Sequence, residues 1–356
     1  MILKDKYYLA FSKIEEVTSA FVKKIYDKFN DIEHCWTCAP SELVNIEGIT
    51  KHQIDIFLKK RQEINPDEVF EFIKNKNLKY VTYEDENYPY LLKQISNPPM
   101  MLYYKGNFNR CNFDKTIAIV GSRKASQSAK EVLGKIIDEM RGTDICIVSG
   151  LALGIDGVAH ESAIRNNLST IGVIASGFDH IYPSKHKKLY EEIENEYGII
   201  FSEYYPSFEP MPWRFPHRNR IVSGLCYGTL VAEAALKSGA LITANLTLEQ
   251  NRELMCMPGN ITNPNTEGIY KLLKQGATLV TSASDIFDAL NWEIKIEKND
   301  FNSELNKLEE KEKSVFDVIS IEDSTFDKIS SETNLNFDDL MIILTSLEMK
   351  GFIKQV

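Results

Sequence analysis

The sequence predicts an α/β protein: an extended Rossmann-like, largely parallel sheet domain, flanked by a small helical N-terminal domain and a C-terminal winged-helix domain. Three observations predict it. Seven short aliphatic runs between residues 116 and 290 each lead through a turn into a helical pattern, the signature of parallel strands buried on both faces. The first 75 residues carry apolar residues at helical spacing. Residues 314–356 read as three short helices followed by the start of a strand.

In residues 1–75 the helical spacing is clearest in Ala20–Tyr26 and Ile54–Leu58. Between them, Leu43–Ile49 has the apolar-Gly-apolar turn of helix-hairpin-helix modules, which meet nucleic-acid backbone through amides at a helix start; a plain helical domain is the competing reading. Residues 76–115 form a connecting segment holding a short strand at Tyr80–Tyr83, then Asn97–Pro98–Pro99 and Met101–Gly106. The seven runs of the 116–290 domain are Ile117–Val120, Ile145–Val148, Ile171–Ile174, Gly198–Phe201, Thr229–Ala232, Leu254–Met257 and Thr278–Val280. Residues 291–313 are polar and charge-rich and read as a linker. In the last unit Val315, Phe316, Val318 and Ile319 share one helix and Phe326–Ile329 lie on a second. Asp338–Glu348 form a third, which Gly351 ends before a strand at Phe352–Lys354.

The formal charge of −10 argues against nucleic acid until it is divided by region. Residues 1–99 hold 14 basic and 16 acidic side chains, residues 100–290 hold 19 and 20, and residues 291–356 hold 8 and 15. The excess lies at the C-terminal end, and a balanced centre can own a basic patch because exposed charges are screened over about 8–10 Å. No apolar run approaches the roughly 20 residues a membrane span needs, and Met1–Tyr8 does not resemble a signal peptide, so a cytoplasmic protein with no membrane partner is expected. The six cysteines have no framework spacing; Cys35 and Cys38 form a lone C-x-x-C read as incidental.

In an open parallel sheet, ligands bind beyond the carboxyl ends of the strands. There the first turn carries Gly121, Ser122, Arg123 and Lys124, a phosphate-binding candidate whose competing reading is a tight turn with solvated cations. It lacks the three glycines of a dinucleotide fingerprint, so NAD is disfavoured and no cofactor is expected. The second turn, Ser149–Gly157, contributes Gly150, with Asp156 read as a helix cap and His160 as structural. The third, Ser176–Lys188, brings Lys185, Lys187 and Lys188. The fourth is Trp213–Gly224, where Arg214, Phe215, Arg218, Asn219 and Arg220 crowd together; its bland reading is a solvated basic loop. Together these cations and Phe215 are expected to converge on one basic groove with an aromatic platform. Walker A, H-E-x-x-H and G-x-S-x-G motifs are absent, and no catalytic residue is assigned. Gly228–Glu233 is the one catalytic alternative, similar to part of a phosphoribohydrolase loop in which Thr229 and Glu233 would handle a sugar phosphate.

Ordered motifs then identify a resemblance: Val120–Arg123, Val148–Asp156, Tyr182–Pro183, Ser202–Tyr204, Phe215–Ile221, Glu233–Ala234, Ser238–Ala244, Pro258–Asn260 and Gly276–Ala277. Their order resembles the DNA-processing protein A family, also called Smf, across essentially the whole chain. The resemblance implies a non-enzymatic single-stranded-DNA-binding protein of natural transformation. It implies a homodimer that protects incoming strands and loads the RecA recombinase, with single-strand-binding protein as a further partner. It puts DNA contacts at Arg123, Lys185, Phe215, Arg218 and Arg220. One departure is Ile174–Gly177, where the family has Leu-Gly-x-Gly. The dimer face is expected around Leu236–Leu246, and the acidic winged helix is expected to meet protein rather than duplex DNA.

Overall fold

The computed structural model describes residues 2–293, 308–319, 325–333, 335–349 and 352–353. It divides into two compact units, Met1–Lys295 and Ile296–Val356.

The first unit opens with helices α1 (Ile2–Ser12), α2 (Ser19–Phe29), α3 (Ile32–Thr37), α4 (Pro40–Leu43), α5 (Lys51–Glu63) and α6 (Pro66–Asn75). Their starts are written in the sequence. Thr18 accepts from the Phe21 amide to begin α2, and Thr50 and Gln53 bond reciprocally to begin α5. The buried stripe Phe21, Val22, Ile25 and Tyr26 turns α2 inward. The helices close on an aromatic core in which Phe57 lies 5.2 Å from Phe11 and 5.8 Å from Trp36. Cys35 and Cys38 are buried in this core, and burial pushes the Cys35 thiol up to about 12. The turn between α4 and α5 does carry a left-handed glycine, Gly48, whose carbonyl accepts from Lys24 at 2.7 Å.

The segment expected to be a connector is part of the sheet. Strands β1 (Lys79–Thr82) and β2 (Met101–Gly106) flank the short helix α7 (Tyr90–Lys93), and both strands run antiparallel to their neighbours. Glu84, just after β1, accepts from the hydroxyls of Tyr8 at 3.0 Å and Tyr26 at 2.7 Å, which fastens the helical layer to this edge.

All seven predicted parallel strands are present: β3 (Thr116–Gly121), β4 (Cys146–Ser149), β5 (Ser169–Ile174), β6 (Gly198–Ser202), β7 (Gly228–Glu233), β8 (Glu253–Cys256) and β9 (Thr278–Leu279). The order across the sheet is β1-β2-β6-β5-β4-β3-β7-β8-β9. Helices α8 (Gln127–Asp138), α9 (Ile155–Arg165), α10 (Lys187–Glu192), α11 (Arg214–Gly224), α12 (Gly239–Glu249), α13 (Glu267–Lys274) and α14 (Ala283–Ala289) cover its two faces. Alternation decides which side chain goes where: Ala118, Val120, Cys146 and Val148 join one core, and Ile117, Ile119, Ile145 and Ile147 the other. The chain builds outward from β3 to β6 and then returns to the far side of β3 as β7. That reversal leaves a crevice beyond the carboxyl ends of β3 and its neighbours.

The second unit contains helices Glu310–Ile319, Phe326–Thr333 and Phe337–Met349 around Val315, Ile329, Leu340, Ile343 and Leu347. The first of these starts inside the expected linker, of which residues 294–307 lie outside the described residues. The expected strand is not formed at Phe352–Ile353, and Lys354 lies outside the described residues. Among the described residues no helix is long and apolar enough to cross a membrane, and no cluster of three or more His, Cys, Asp or Glu could hold a metal.

Phe57 has no exposed surface, so Phe57→Ala is expected to cost about 3–5 kcal/mol in urea unfolding of the full chain.

Candidate nucleic-acid interface

The crevice at the β3–β7 reversal encloses about 590 Å³ and is lined by Gly121, Ser122, Arg123, Lys124, Gly150, Phe215, Arg218 and Asn219 among the residues singled out by sequence. Three of the four turns therefore meet at one rim. Tyr182, from the remaining turn, and Lys237, at the entry to α12, line the same space.

The turns are fixed by the protein's own carboxylates. After β3, Ser122 donates its amide to the Glu233 carbonyl at 2.8 Å, while the Glu233 carboxylate accepts from the Ser126 amide at 3.2 Å and the Ser126 hydroxyl at 2.5 Å. After β4, Asp156 Oδ2 accepts from the amides of Gly150 at 3.2 Å and Ala152 at 3.3 Å. Asp156 thus folds the turn rather than capping α9, whose cap position is Gly154. Gly154 has φ +84°, and a side chain there would strike the Ser122 and Arg123 backbone, so these two turns can nest only with glycine. Four of the turn amides, those of Ser122, Ser126, Gly150 and Ala152, are in this way already paired with Glu233 or Asp156. Arg123 and Lys124, both exposed, add side-chain charge at the same rim.

Helix α11 sorts the arginine cluster by its period. Phe215, Arg218, Asn219 and Val222 face the crevice at i, i+3, i+4 and i+7. Arg214, His217 and Arg220 face the other way, so the expectation that every arginine of this segment enters the groove is corrected here. The Arg214 side chain is 1% exposed and pairs with Glu15 and the Glu209 carbonyl. Arg220 pairs with the buried Glu203 at 2.5 Å, and Ser19 donates to the same carboxylate oxygen at 2.5 Å. The N-terminal helices and the end of β6 therefore hold α11 from behind.

Arg218 is in the crevice but embedded in its floor, 4% exposed. Its Nη1 donates to the Gly150 carbonyl at 2.7 Å and to the Val173 carbonyl, and Gly150 can carry no side chain because the guanidinium fills that space. Burial lowers the Arg218 pKa while the Asp156 charge raises it, with a net lowering; burial raises that of Asp156 against the Arg218 charge. Asn219 Oδ1 accepts from Arg218 Nε at 3.3 Å. The guanidinium of Arg123 lies 5.1 Å from the centre of the Phe215 ring, and the Tyr182 ring is 5.5 Å from it.

Lys185 is exposed but does not line the crevice; it follows Tyr182 on a loop pinned by His186 to the Leu151 carbonyl at 3.0 Å. Lys187 and Lys188 pair along their own helix with Glu191 at 4.0 Å and Glu192 at 3.3 Å, which makes them a solvated helix face. The departing Ile174–Gly177 stretch has a defined path, because the Gly177 amide donates to the Phe208 carbonyl at 2.7 Å. His160 is fully buried, bonded to the Thr170 hydroxyl at 2.7 Å, and burial lowers its pKa to about 3, so it is structural. Sequence reasoning missed Lys237 and the exposure of Tyr182; the signal for both was a cation or ring at a strand-end turn.

Burial raises the Glu203 pKa, but the Arg220 and His217 charges and the Ser19 hydrogen bond outweigh it and hold the carboxyl below its usual range. A depressed carboxyl stabilises the fold at neutral pH and loses that contribution as pH falls through the folded pKa. Glu203→Ala, which strands Arg220, is expected to cost about 3–5 kcal/mol at pH 7. The difference from wild type should narrow in unfolding measurements carried below about pH 4, the ordinary carboxylate range.

Residues 79–291 match the family model described as DNA recombination-mediator protein A. Protein Smf of a Synechocystis species is 35% identical over 290 residues, 81% of this chain and 73% of the relative. DNA processing protein DprA of Streptococcus pneumoniae is 42% identical over 202 residues, 57% of this chain and 71% of the relative. The X-ray structure of DNA processing protein A from Streptococcus pneumoniae superposes with a TM-score of 0.70 at 32% identity, covering 82% of this chain and 97% of that one. The Helicobacter pylori DNA processing protein A, whose structure addresses its single-stranded DNA binding mode, superposes with a TM-score of 0.54 at 30% identity over 61% of this chain and 98% of its own. A family match over more than half of the chain, and a relative this similar along most of it, mean that the chain belongs to the DNA recombination-mediator protein A family.

Proposed function

We propose that this protein binds single-stranded DNA in the crevice at the β3–β7 reversal, shields it, and loads the RecA recombinase onto it during natural transformation. The observation that carries this reading is one crevice of about 590 Å³ bearing exposed Arg123 and Lys124 beside two aromatic rings, Phe215 and Tyr182. Cations grip phosphates and flat rings accept any unpaired base, so the combination suits a strand of arbitrary sequence. Gly121, Ser122 and Gly150 let the backbone form close walls, Arg218 supplies a fixed positive floor, and Asn219 offers an amide at the same level. Lys185 extends the positive rim along the neighbouring loop. Arg220 acts from behind, by holding α11. The Helicobacter pylori relative, described for its single-stranded DNA binding mode, supports this reading. Membership of a recombination-mediator family supports transfer to RecA as part of this reading, which takes single-strand-binding protein as a further partner.

The hydrolase alternative needs Glu233 free to meet a sugar phosphate. It is 1% exposed and accepts from both the amide and the hydroxyl of Ser126. That engagement favours the binding protein, and incubation with nucleoside monophosphates is expected to release no free base.

Self-association has its own observation. Leu236 and Ile261, 54% and 78% exposed, line one shallow apolar depression with Tyr270. We assign the dimer face there, and Leu236→Glu is expected to shift the sedimentation profile from dimer to monomer.

Arg123→Ala combined with Lys124→Ala is expected to weaken oligo-dT binding at least about tenfold at moderate salt. It should also flatten the plot of log K against log salt by about 0.7 per lost phosphate contact. Anisotropy titrations at several salt concentrations check both, and unchanged affinity and slope would remove the groove as the binding site.

A further inference from the structure

Phe215 is the aromatic residue that sequence marks for base stacking, yet its ring is the less available of the two in the crevice. It is half-buried, with the Arg123 guanidinium 5.1 Å from its centre and the Tyr182 ring tilted at 60° against it. The tilt leaves no parallel slot between the rings for a base. Tyr182 is 47% exposed and faces the same crevice. Its backbone is firmly seated: the Tyr190 hydroxyl donates to the Tyr182 carbonyl at 2.9 Å, and His186 on the same loop bonds the Leu151 carbonyl at 3.0 Å. A large ring held out at a groove mouth gains little packing from the fold, and a seated ring loses little freedom when something lies on it.

We propose that Tyr182 is a base-binding subsite: an unpaired nucleobase stacks on its open face, Phe215 supports the ring from behind, and Lys185, three residues on, meets the adjoining phosphate. The inference rests on the single-strand reading above and deepens it. Among the described residues Lys185 has no carboxylate partner, so its charge is available to that phosphate. The order Tyr182 then Lys185 places a ring and a cation on one short loop, as a nucleotide places its base and its phosphate.

The test uses the full chain and fluorescein-labelled oligo-dT. Tyr182→Ala is expected to weaken binding about 5- to 100-fold, with the salt slope unchanged because no phosphate contact is lost. Tyr182→Phe keeps the flat ring and is expected to bind as wild type, whereas Tyr182→Leu, apolar but not flat, should fall with the alanine variant. Tyr182→Trp adds a local signal, and oligo-dT should quench its fluorescence beyond the change seen in wild type. If wild type binds and Tyr182→Ala binds within about twofold of it, the subsite is overturned while the groove reading stands. If wild type itself does not bind single strands, the groove reading fails and the subsite falls with it. Circular dichroism of each variant separates a lost contact from a lost fold.

Discussion

The guanidinium of Arg218 is the tie on which the crevice depends. From helix α11 it reaches under Gly150 and bonds carbonyls at the ends of β4 and β5, so a helix and two strand ends share one buried cation. Asp156, buried beside it, offsets its charge and at the same time braces the Gly150 turn through two amides. A buried charge lacking such a partner would cost several kcal/mol. With the partner in place, the floor of the crevice is a buried, charge-balanced pair, and the exposed positive charge lies at the rim on Arg123 and Lys124.

Around that tie the molecule distributes acid and base by depth. Carboxylates do the internal work: Glu233 organises the turn after β3, Asp156 the turn after β4, and Glu203 the rear of α11. At the crevice rim, Arg123, Lys124 and Lys237 reach the surface. This is how a chain with a formal charge of −10 can still present exposed cations around one crevice. It also gives the N-terminal helices a role. Glu15 pairs with Arg214 of α11, and Ser19 donates to Glu203, the partner of Arg220, so the helical layer bears on the orientation of the face turned toward the crevice.

The sheet was legible because buried parallel strands are continuously apolar, and apart from the leading Thr229 and Thr278 every run from Ile117–Val120 to Thr278–Val280 is. The edge strands were not read as part of it. Lys79–Thr82 and Met101–Gly106 are short and mixed, and their pairing depends on register with β6, which no local pattern encodes. In the site, Arg123, Phe215 and Arg218 could be placed at one rim because strand ends define that rim. Arg220 could not be told apart from them, because Trp213–Gly224 reads as a strand-end turn rather than a helix. Pro216 in fact sits in the first turn of α11, where its missing donor is no loss, and the helical period then turns Arg220 away from the crevice. The coupling of Glu203 to Arg220 spans distant parts of the chain and depends on packing alone.

The pairing of the Ser126, Gly150 and Ala152 amides with internal carboxylates has a kinetic consequence. A nucleotide-binding loop that wraps a phosphate in backbone donors gives it a single deep seat and a slow departure. On the proposed reading, a strand would meet chiefly the side-chain cations Arg123 and Lys124 over a prefolded surface, so successive phosphates would be nearly equivalent to it. On the same reading, such a surface would let a bound strand shift its position in small steps without local unfolding of the protein.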